Sequence, residues 1–167
     1  MPTPPPDPHI RAGLQPGDIG CVITLHGLLY AEEYGFDTTF DGYVASGMGE
    51  FAQTYDPQKD CLWVAELDGE IVGSIAIVGQ PDGIARLRWF LVHPRARGYG
   101  LGRKLLDRAL AFCRERGFNA VFLWTLDNLD AAIHLYRSAG FRPTEEKTHS
   151  IWGHTLTEVR YDLHLQP

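Results

Sequence analysis

Leu91-Val-His-Pro-Arg-Ala-Arg-Gly-Tyr-Gly-Leu-Gly-Arg-Lys104 is the stretch whose reading decides the fold. The residues before it, Ile84–Val92, are mostly apolar and strand-like, and His93-Pro94 halts any ladder there. After it, apolar residues at 101, 105, 106, 109, 110, 112 and 113 predict a helix over 101–116 with a broad buried face. Gly98, Gly100 and Gly102 therefore stand where a strand turns into a helix start. Glycine lets the backbone approach a ligand with no Cβ in the way. The first N–H groups of a helix lack internal partners, and its dipole favours an anion there. That combination describes a phosphate site.

Two common phosphate loops do not fit. The dinucleotide fingerprint needs Gly-x-Gly-x-x-Gly, whereas this chain has Gly-x-Gly-x-Gly in mid-chain, after several strands. The P-loop needs Gly-Lys-Ser/Thr at its end, but Arg103 replaces the glycine and Leu105 follows Lys104. The pattern that does fit is Arg/Gln-x-x-Gly-x-Gly/Ala, present as Arg97-Gly-Tyr-Gly-Leu-Gly102. It resembles the pyrophosphate-binding motif of the GNAT acetyltransferases, which hold acetyl-CoA. A glycine-rich turn kept only for tight packing is the competing reading.

A chain of 167 residues suits one domain with a sizeable core. Its 44% hydrophobic and 22% charged residues are those of an ordinary globular protein. The net charge of −6 disfavours nucleic acid as a partner and is permissive for a cationic amine. Cys21, Cys61 and Cys113 lack Cys-x-x-Cys spacing and read as reduced thiols of a cytoplasmic protein. No apolar run reaches membrane-spanning length, and no signal-peptide pattern opens the chain, so neither membrane nor export is expected.

Residues 1–9 hold five prolines and predict a disordered or extended tail, leaving 10–167 as the domain. A short strand over 10–14 is expected next. Asp18 is the expected N-cap of a helix to about Tyr34, ended by Gly35. A second helix starts near Thr38 and is weakened by Gly42, Gly47 and Gly49. Cys61–Leu67 and 70–78 flank Asp68-Gly69, a hairpin signal, and Ile84–Val92 completes an antiparallel meander. Gly117 ends the helix after the glycine motif, so the strand at 120–125 is reached by a crossover and runs parallel to its predecessor. A helix over 129–139 ends at Gly140, and strands at 141–149 and 155–165 close the chain around Gly153.

The resulting order, β-α-α-β-β-β-α-β-α-β-β, is that of the GNAT fold, and the resemblance covers residues 10–165. It implies an α/β (α+β) domain: a mixed, mostly antiparallel twisted sheet of about seven strands flanked by about four helices. A narrower likeness rests on Tyr30-Ala-Glu-Glu-Tyr-Gly-Phe-Asp37, Leu123-Trp-Thr125 and His149-Ser-Ile-Trp-Gly-His154. These segments resemble the acetyltransferase half of bacterial fusions between a MarR-type regulator and a GNAT domain. The DNA-binding half is absent from this sequence, so no DNA binding is expected.

By that resemblance, Gly98, Tyr99, Gly100, Leu101, Gly102 and Arg103 grip the pyrophosphate with their amides, and Arg97 adds charge. The backbone of Leu91 and Val92 pairs with the pantetheine arm as a further strand would, and the N–H near Val92 polarises the thioester carbonyl. Leu135-Tyr136-Arg-Ser-Ala-Gly-Phe141 matches the family's Leu-Tyr-x-x-x-Gly-Phe signature, so the resemblance makes Tyr136 the acid that protonates the leaving thiolate. An amphipathic core tyrosine is the alternative. Asn128 stands eight residues before Tyr136 instead of the family's seven, a helix offset of about 100°. Many relatives carry a glutamate on the fourth strand as base; here Ile84–Val92 holds arginines and no carboxylate. Glu32, Glu33 and Asp37, at the helix end that faces the acceptor in this fold, are candidates for contact with the amine, and Tyr34 and Phe36 for the pocket wall. His149 and His154 are candidate bases in a loop that borders the acceptor cleft by resemblance; their spacing without a third ligand does not make a metal site.

The expected activity is acetyl transfer from acetyl-CoA to a primary amine, of a small molecule, an amino acid or a protein, by direct attack in a ternary complex. A non-catalytic acyl-CoA-binding or sensing module is the alternative, and a nucleotide-binding protein ranks third. A homodimer is an option the resemblance leaves open.

Overall fold

The structure, a computed structural model, describes residues 1–4 and 7–166. Pro5 and Pro6, within the expected tail, lie outside the described residues. The chain forms strands β1 (His9–Ala12), β2 (Cys61–Leu67), β3 (Glu70–Gly79), β4 (Ile84–Val92), β5 (Ala120–Leu126), β6 (Arg142–Ile151) and β7 (His154–His164). Its helices are α1 (Asp18–Tyr34), α2 (Thr38–Gln53), α3 (Leu101–Glu115) and α4 (Asp130–Ser138). One seven-stranded sheet runs in the order β1-β2-β3-β4-β5-β7-β6, with β4 and β5 its parallel pair and the others antiparallel.

Alternation along the strands sends neighbouring side chains into two separate cores. Trp63, Ala65, Ile75, Ile77 and Leu87 pack with Leu105, Leu106, Ala109 and Leu110 of α3 on one face. Leu62, Val64, Ala76 and Trp89 pack with Val22 of α1 and Phe40, Val44 and Met48 of α2 on the other. The apolar stripe read in 101–116 thus does what its period predicts, and α3 is buried along that stripe alone. Cys61 and Cys113 are buried free thiols and Cys21 is exposed; burial pushes the Cys113 thiol up to about 12.

Several details differ from the sequence reading. β1 starts at His9, inside the expected tail, because His9 through Ala12 pair with Glu66 through Trp63. The N-cap of α1 is Gly17, in a left-handed conformation, and not Asp18. Asp18 is instead buried in the first turn, where both carboxylate oxygens accept from Arg11 at 2.6 and 2.9 Å. Arg11 also reaches Glu66 at 2.7 Å, so a charge network in place of a cap fastens α1 to the sheet edge. Asp37, expected as a contact to the amine, instead caps α2: its side chain accepts from the Thr39 N–H at 3.0 Å and from the Thr39 hydroxyl.

Candidate active site

The site grows from an irregularity in β4. Ser74 pairs with Leu91 and Ala76 with Arg88, so Ile75 alone opposes both Trp89 and Phe90. This bulge puts Trp89 at φ 50°, and the Ser74 hydroxyl donates to the Trp89 carbonyl at 2.7 Å. The extra residue reverses the alternation. Arg88 and Trp89 consequently share the α2 side, with the Arg88 guanidinium 4.4 Å above the Trp89 ring, and Phe90 turns to the α3 side.

Beside the bulge the sheet opens. β4 pairs with β5 only from Ile84–Ala120 to Arg86–Phe122, while β5 stays with β7 as far as Leu126. From Leu87 onward one edge of β4 is free of strand pairing. The His93 N–H is spent on the Val72 carbonyl at 2.7 Å, on the β3 side. Strand alternation therefore directs the Val92 N–H to the open edge. The Val92 carbonyl points the same way and accepts from Arg97 Nε at 2.8 Å.

A cleft of about 840 Å³ fills this opening. The glycine turn forms one wall, Glu33 and Tyr34 of α1 a second, and Asn128 to Ala132 with His134 and Leu135 a third. Gly98 and Gly100 have φ of 86° and 80°, which favour glycine, and a Cβ at either would meet nothing within 4 Å. The turn is thus open on its outer side, as a ligand cradle requires. Gly102 has a different reason: a Cβ there would stand 3.1 Å from Leu135 Cδ1, so α3 and α4 touch at this point.

A second cavity of about 140 Å³ adjoins the first on the α2 side of the sheet. Tyr30, Phe90, Leu129 and Ala132 line both. Tyr136 lines the smaller one, 5% exposed, between Phe90 and Phe141. Burial, and next the neighbouring Tyr30, raises the Tyr136 phenol above its ordinary range, so the hydroxyl keeps its proton. His26 is buried at the same cavity, its Nδ1 2.8 Å from the Val22 carbonyl, and burial lowers its pKa to about 4. The ring is therefore neutral near pH 7, with Nδ1 donating.

The sequence-selected residues separate in space. Leu91, Val92, Arg97, Gly98, Gly100, Leu101, Gly102 and Arg103 line the wide cleft together, and Asn128 joins them despite its offset. Tyr99 does not; it is about half exposed and outside the lining. Glu33 and Tyr34 line this same cleft, and Glu33 faces Arg97 of the glycine turn. Asp37 is committed to its helix cap and lines neither cavity. His149 also lines neither; its Nε2 lies 2.7 Å from Glu158 Oε2 across β6 and β7. His154 Nε2 bonds the Gly35 carbonyl at 3.0 Å, tying the α1–α2 turn to the β6–β7 turn.

Sequence reading missed His26, Arg86, Arg88 and Glu158 as lining residues. Arginines at alternate positions of an apolar strand were the available signal for two of them. The carboxylate absent from β4 reaches the smaller cavity from β7, as Glu158. Among the described residues no group of three or more His, Cys, Asp or Glu could hold a metal ion. No helix among them is long and apolar enough to cross a membrane.

A splayed parallel strand pair, with a bulged strand leading into a glycine-rich helix start, defines an acyltransferase of the GNAT type. The chain belongs to that family: the Acetyltransferase (GNAT) family matches over residues 29–141. It is 31% identical over 154 residues to a probable N-acetyltransferase, camello, of Xenopus tropicalis, covering 84% of this chain and 69% of that protein. It is 35% identical over 133 residues to the uncharacterized N-acetyltransferase YjgM of Escherichia coli, covering 77% and 78%. The solved structure of yncA from Salmonella typhimurium, a putative acetyltransferase with its cofactor acetyl-CoA, has the same fold at TM-score 0.70 and 21% identity, covering 96% of this chain and 95% of that one. The chain is an acyltransferase enzyme, and its relatives include both bacterial and eukaryotic proteins.

Proposed function

We propose that this enzyme transfers an acetyl group from acetyl-CoA to a primary amine by direct attack, with both substrates bound. The observation that carries the reading is the free edge of β4 running straight into the open glycine turn at the start of α3. The yncA structure, which holds acetyl-CoA on the same fold, supports the choice of donor. Acetyl-CoA supplies an acetyl thioester. Amides of residues 98–103 take the pyrophosphate at the α3 N-terminus. The free Leu91–Val92 edge aligns the pantetheine arm, and the Val92 N–H donates to the thioester carbonyl oxygen.

The amine nitrogen bonds to the carbonyl carbon, the C–S bond breaks, and the electron pair leaves on sulfur. Tyr136 gives its hydroxyl proton to that thiolate, a task suited to a phenol that burial keeps protonated. The proton lost by the amine goes to Glu158, directly or through water, and on to His149 at 2.7 Å. No nucleic acid or membrane takes part. The likeness to regulator fusions stays a reading of three short segments, and cytoplasmic location stays a reading of the thiols.

The test is thermal unfolding with acetyl-CoA, CoA, NAD and ATP, followed by amine-dependent release of CoA thiol. Both CoA forms should raise the melting temperature by mass action while NAD and ATP leave it unchanged. A flat response to both CoA forms would sink the proposal. A CoA response with no amine-dependent release from a broad panel would leave the non-catalytic acyl-CoA-binding reading.

A further inference from the structure

We infer that Arg86 and Arg88 form an anion subsite in the smaller cavity, and that the acceptor is an amine bearing a carboxylate, an amino acid. The inference rests on the acetyltransferase reading above and adds the acceptor's chemistry.

Both arginines lie on β4 and line the cavity that Tyr136 also lines. Neither makes an ion pair with any described carboxylate. Arg86 Nε is buried without any hydrogen-bond partner. A buried donor left unpaired is costly and rare in folded proteins, more so when it carries charge. The hydrogen bond made by the Arg88 guanidinium is to the Tyr43 hydroxyl at 3.3 Å, a long contact with a neutral group. Burial, and next the charge of Arg86, lowers the pKa of Arg88 below its ordinary range. Two cations are thus held near each other, partly desolvated, and an anion from outside would relieve both strains.

The nearby acids do not supply it: Glu50 acts on Arg88 through its charge but forms no ion pair with it. Glu158 is the acid in this cavity's lining, and His149 already engages it. Arg160 shows what a satisfied arginine looks like on the same face: its Nε and Nη2 each reach Asp162 at 2.9 Å. Guanidinium forks recognise carboxylates in this paired way. The cavity's lining therefore carries both signs of charge, guanidinium groups from β4 and a carboxylate from β7. An amino acid presents the matching pair, a carboxylate and an amine. Tyr43, Trp124 and Trp152 also line the cavity, whose volume of about 140 Å³ is below the usual range for small-molecule sites and suits a small acceptor. The overall charge of −6 suggests a cationic acceptor, but the local field at these residues has the other sign.

The experiment measures CoA release with amino acids of acidic, apolar and aromatic side chain, each paired with its own carboxamide, and with polyamines alongside. Free carboxylates should be used at least about tenfold better in kcat/KM than the matching carboxamides, the discrimination expected when a buried charge loses its partner. Arg86→Gln and Arg88→Gln should raise KM for the amino acid by a similar factor, and Arg88→Lys should recover part of it. The acetyl-CoA melting shift, retained in each variant, certifies the fold. Equal use of carboxamides or polyamines overturns the inference, as does wild-type KM in both glutamine variants. No turnover of any amino acid, with the acetyl-CoA shift intact, also overturns it while leaving donor binding standing. Loss of that shift in the wild-type protein instead removes the acetyltransferase reading itself.

Discussion

Glu33 of α1 and Arg97 of the glycine turn grip each other in the wide cleft, Oε1 to Nη2 at 2.8 Å and Oε2 to Nη1 at 3.2 Å. Arg97 Nε meanwhile holds the Val92 carbonyl at 2.8 Å, so one side chain links α1, the end of β4 and the glycine turn. The pair joins a carboxylate to the very cation expected to meet the pyrophosphate. Glu33→Gln removes that negative charge and frees the guanidinium. Acetyl-CoA should bind about three- to tenfold more tightly at low salt, with the gain shrinking as salt screens it. Because Arg97 is about half exposed, stability should change by no more than about 1 kcal/mol. Calorimetric titration at two salt concentrations checks this, and weaker binding would contradict it.

Tyr136→Phe keeps the aromatic packing against Phe90, Phe141 and Tyr161 and deletes only the hydroxyl. If that hydroxyl protonates the leaving thiolate, kcat should fall by about 10²-fold or more while acetyl-CoA affinity holds. Steady-state kinetics and a binding titration on one preparation separate the two effects. Unchanged turnover would return Tyr136 to the core.

Gly100→Ala and Gly102→Ala probe two different reasons for glycine in one motif. At Gly100 the positive φ penalises any Cβ, by roughly 1–2 kcal/mol, and the turn that presents its amides must deform. Acetyl-CoA affinity should drop along with stability. At Gly102 the new methyl meets the flexible end of Leu135, and alanine's better helix propensity, worth about 1 kcal/mol, offsets that contact. Its melting temperature should stay near wild type. Urea unfolding of both variants tests the contrast.

His26 makes stability depend on pH. Its folded pKa of about 4 lies below the ordinary 6.5, so between those values the unfolded chain binds a proton that the folded chain refuses. Stability contributed by His26 is complete above about pH 6.5 and is lost as pH falls towards 4, by about 3 kcal/mol in all. Unfolding free energy at pH 7 and pH 4.5 should differ by less in His26→Gln than in wild type. An identical pH slope in both would show that His26 is not the group responsible.

The half of the site proposed for the cofactor, the glycine turn and the strand before it, was legible because one local rule covers it. Glycine spacing, the Pro94 stop and the apolar stripe of α3 all act over a few residues, so they can be read in a line. The acceptor half was not. Asp37 and His149 have the right chemistry for a substrate site, yet the first went to the cap of α2 and the second to Glu158 of β7, choices made by neighbours. Glu33 was expected beside the acceptor and lies instead against Arg97, 64 positions along the chain. Asp18 had the residue type of an N-cap, but Arg11, drawn in by β1 pairing, uses it as a counterion.

The sequence by itself determined the element order and the strand–glycine turn–helix around Arg97–Gly102, whose motif carried the resemblance to the family. These follow from periodicity and from glycine's conformational freedom, which are local. Tertiary structure alone decided that β4 bulges at Trp89, that β5 leaves it after Phe122, and that Arg86, Arg88 and Glu158 line one cavity. Bulge and splay arise from pairing between strands far apart in the chain, and a one-residue slip in such pairing changes the face each side chain takes.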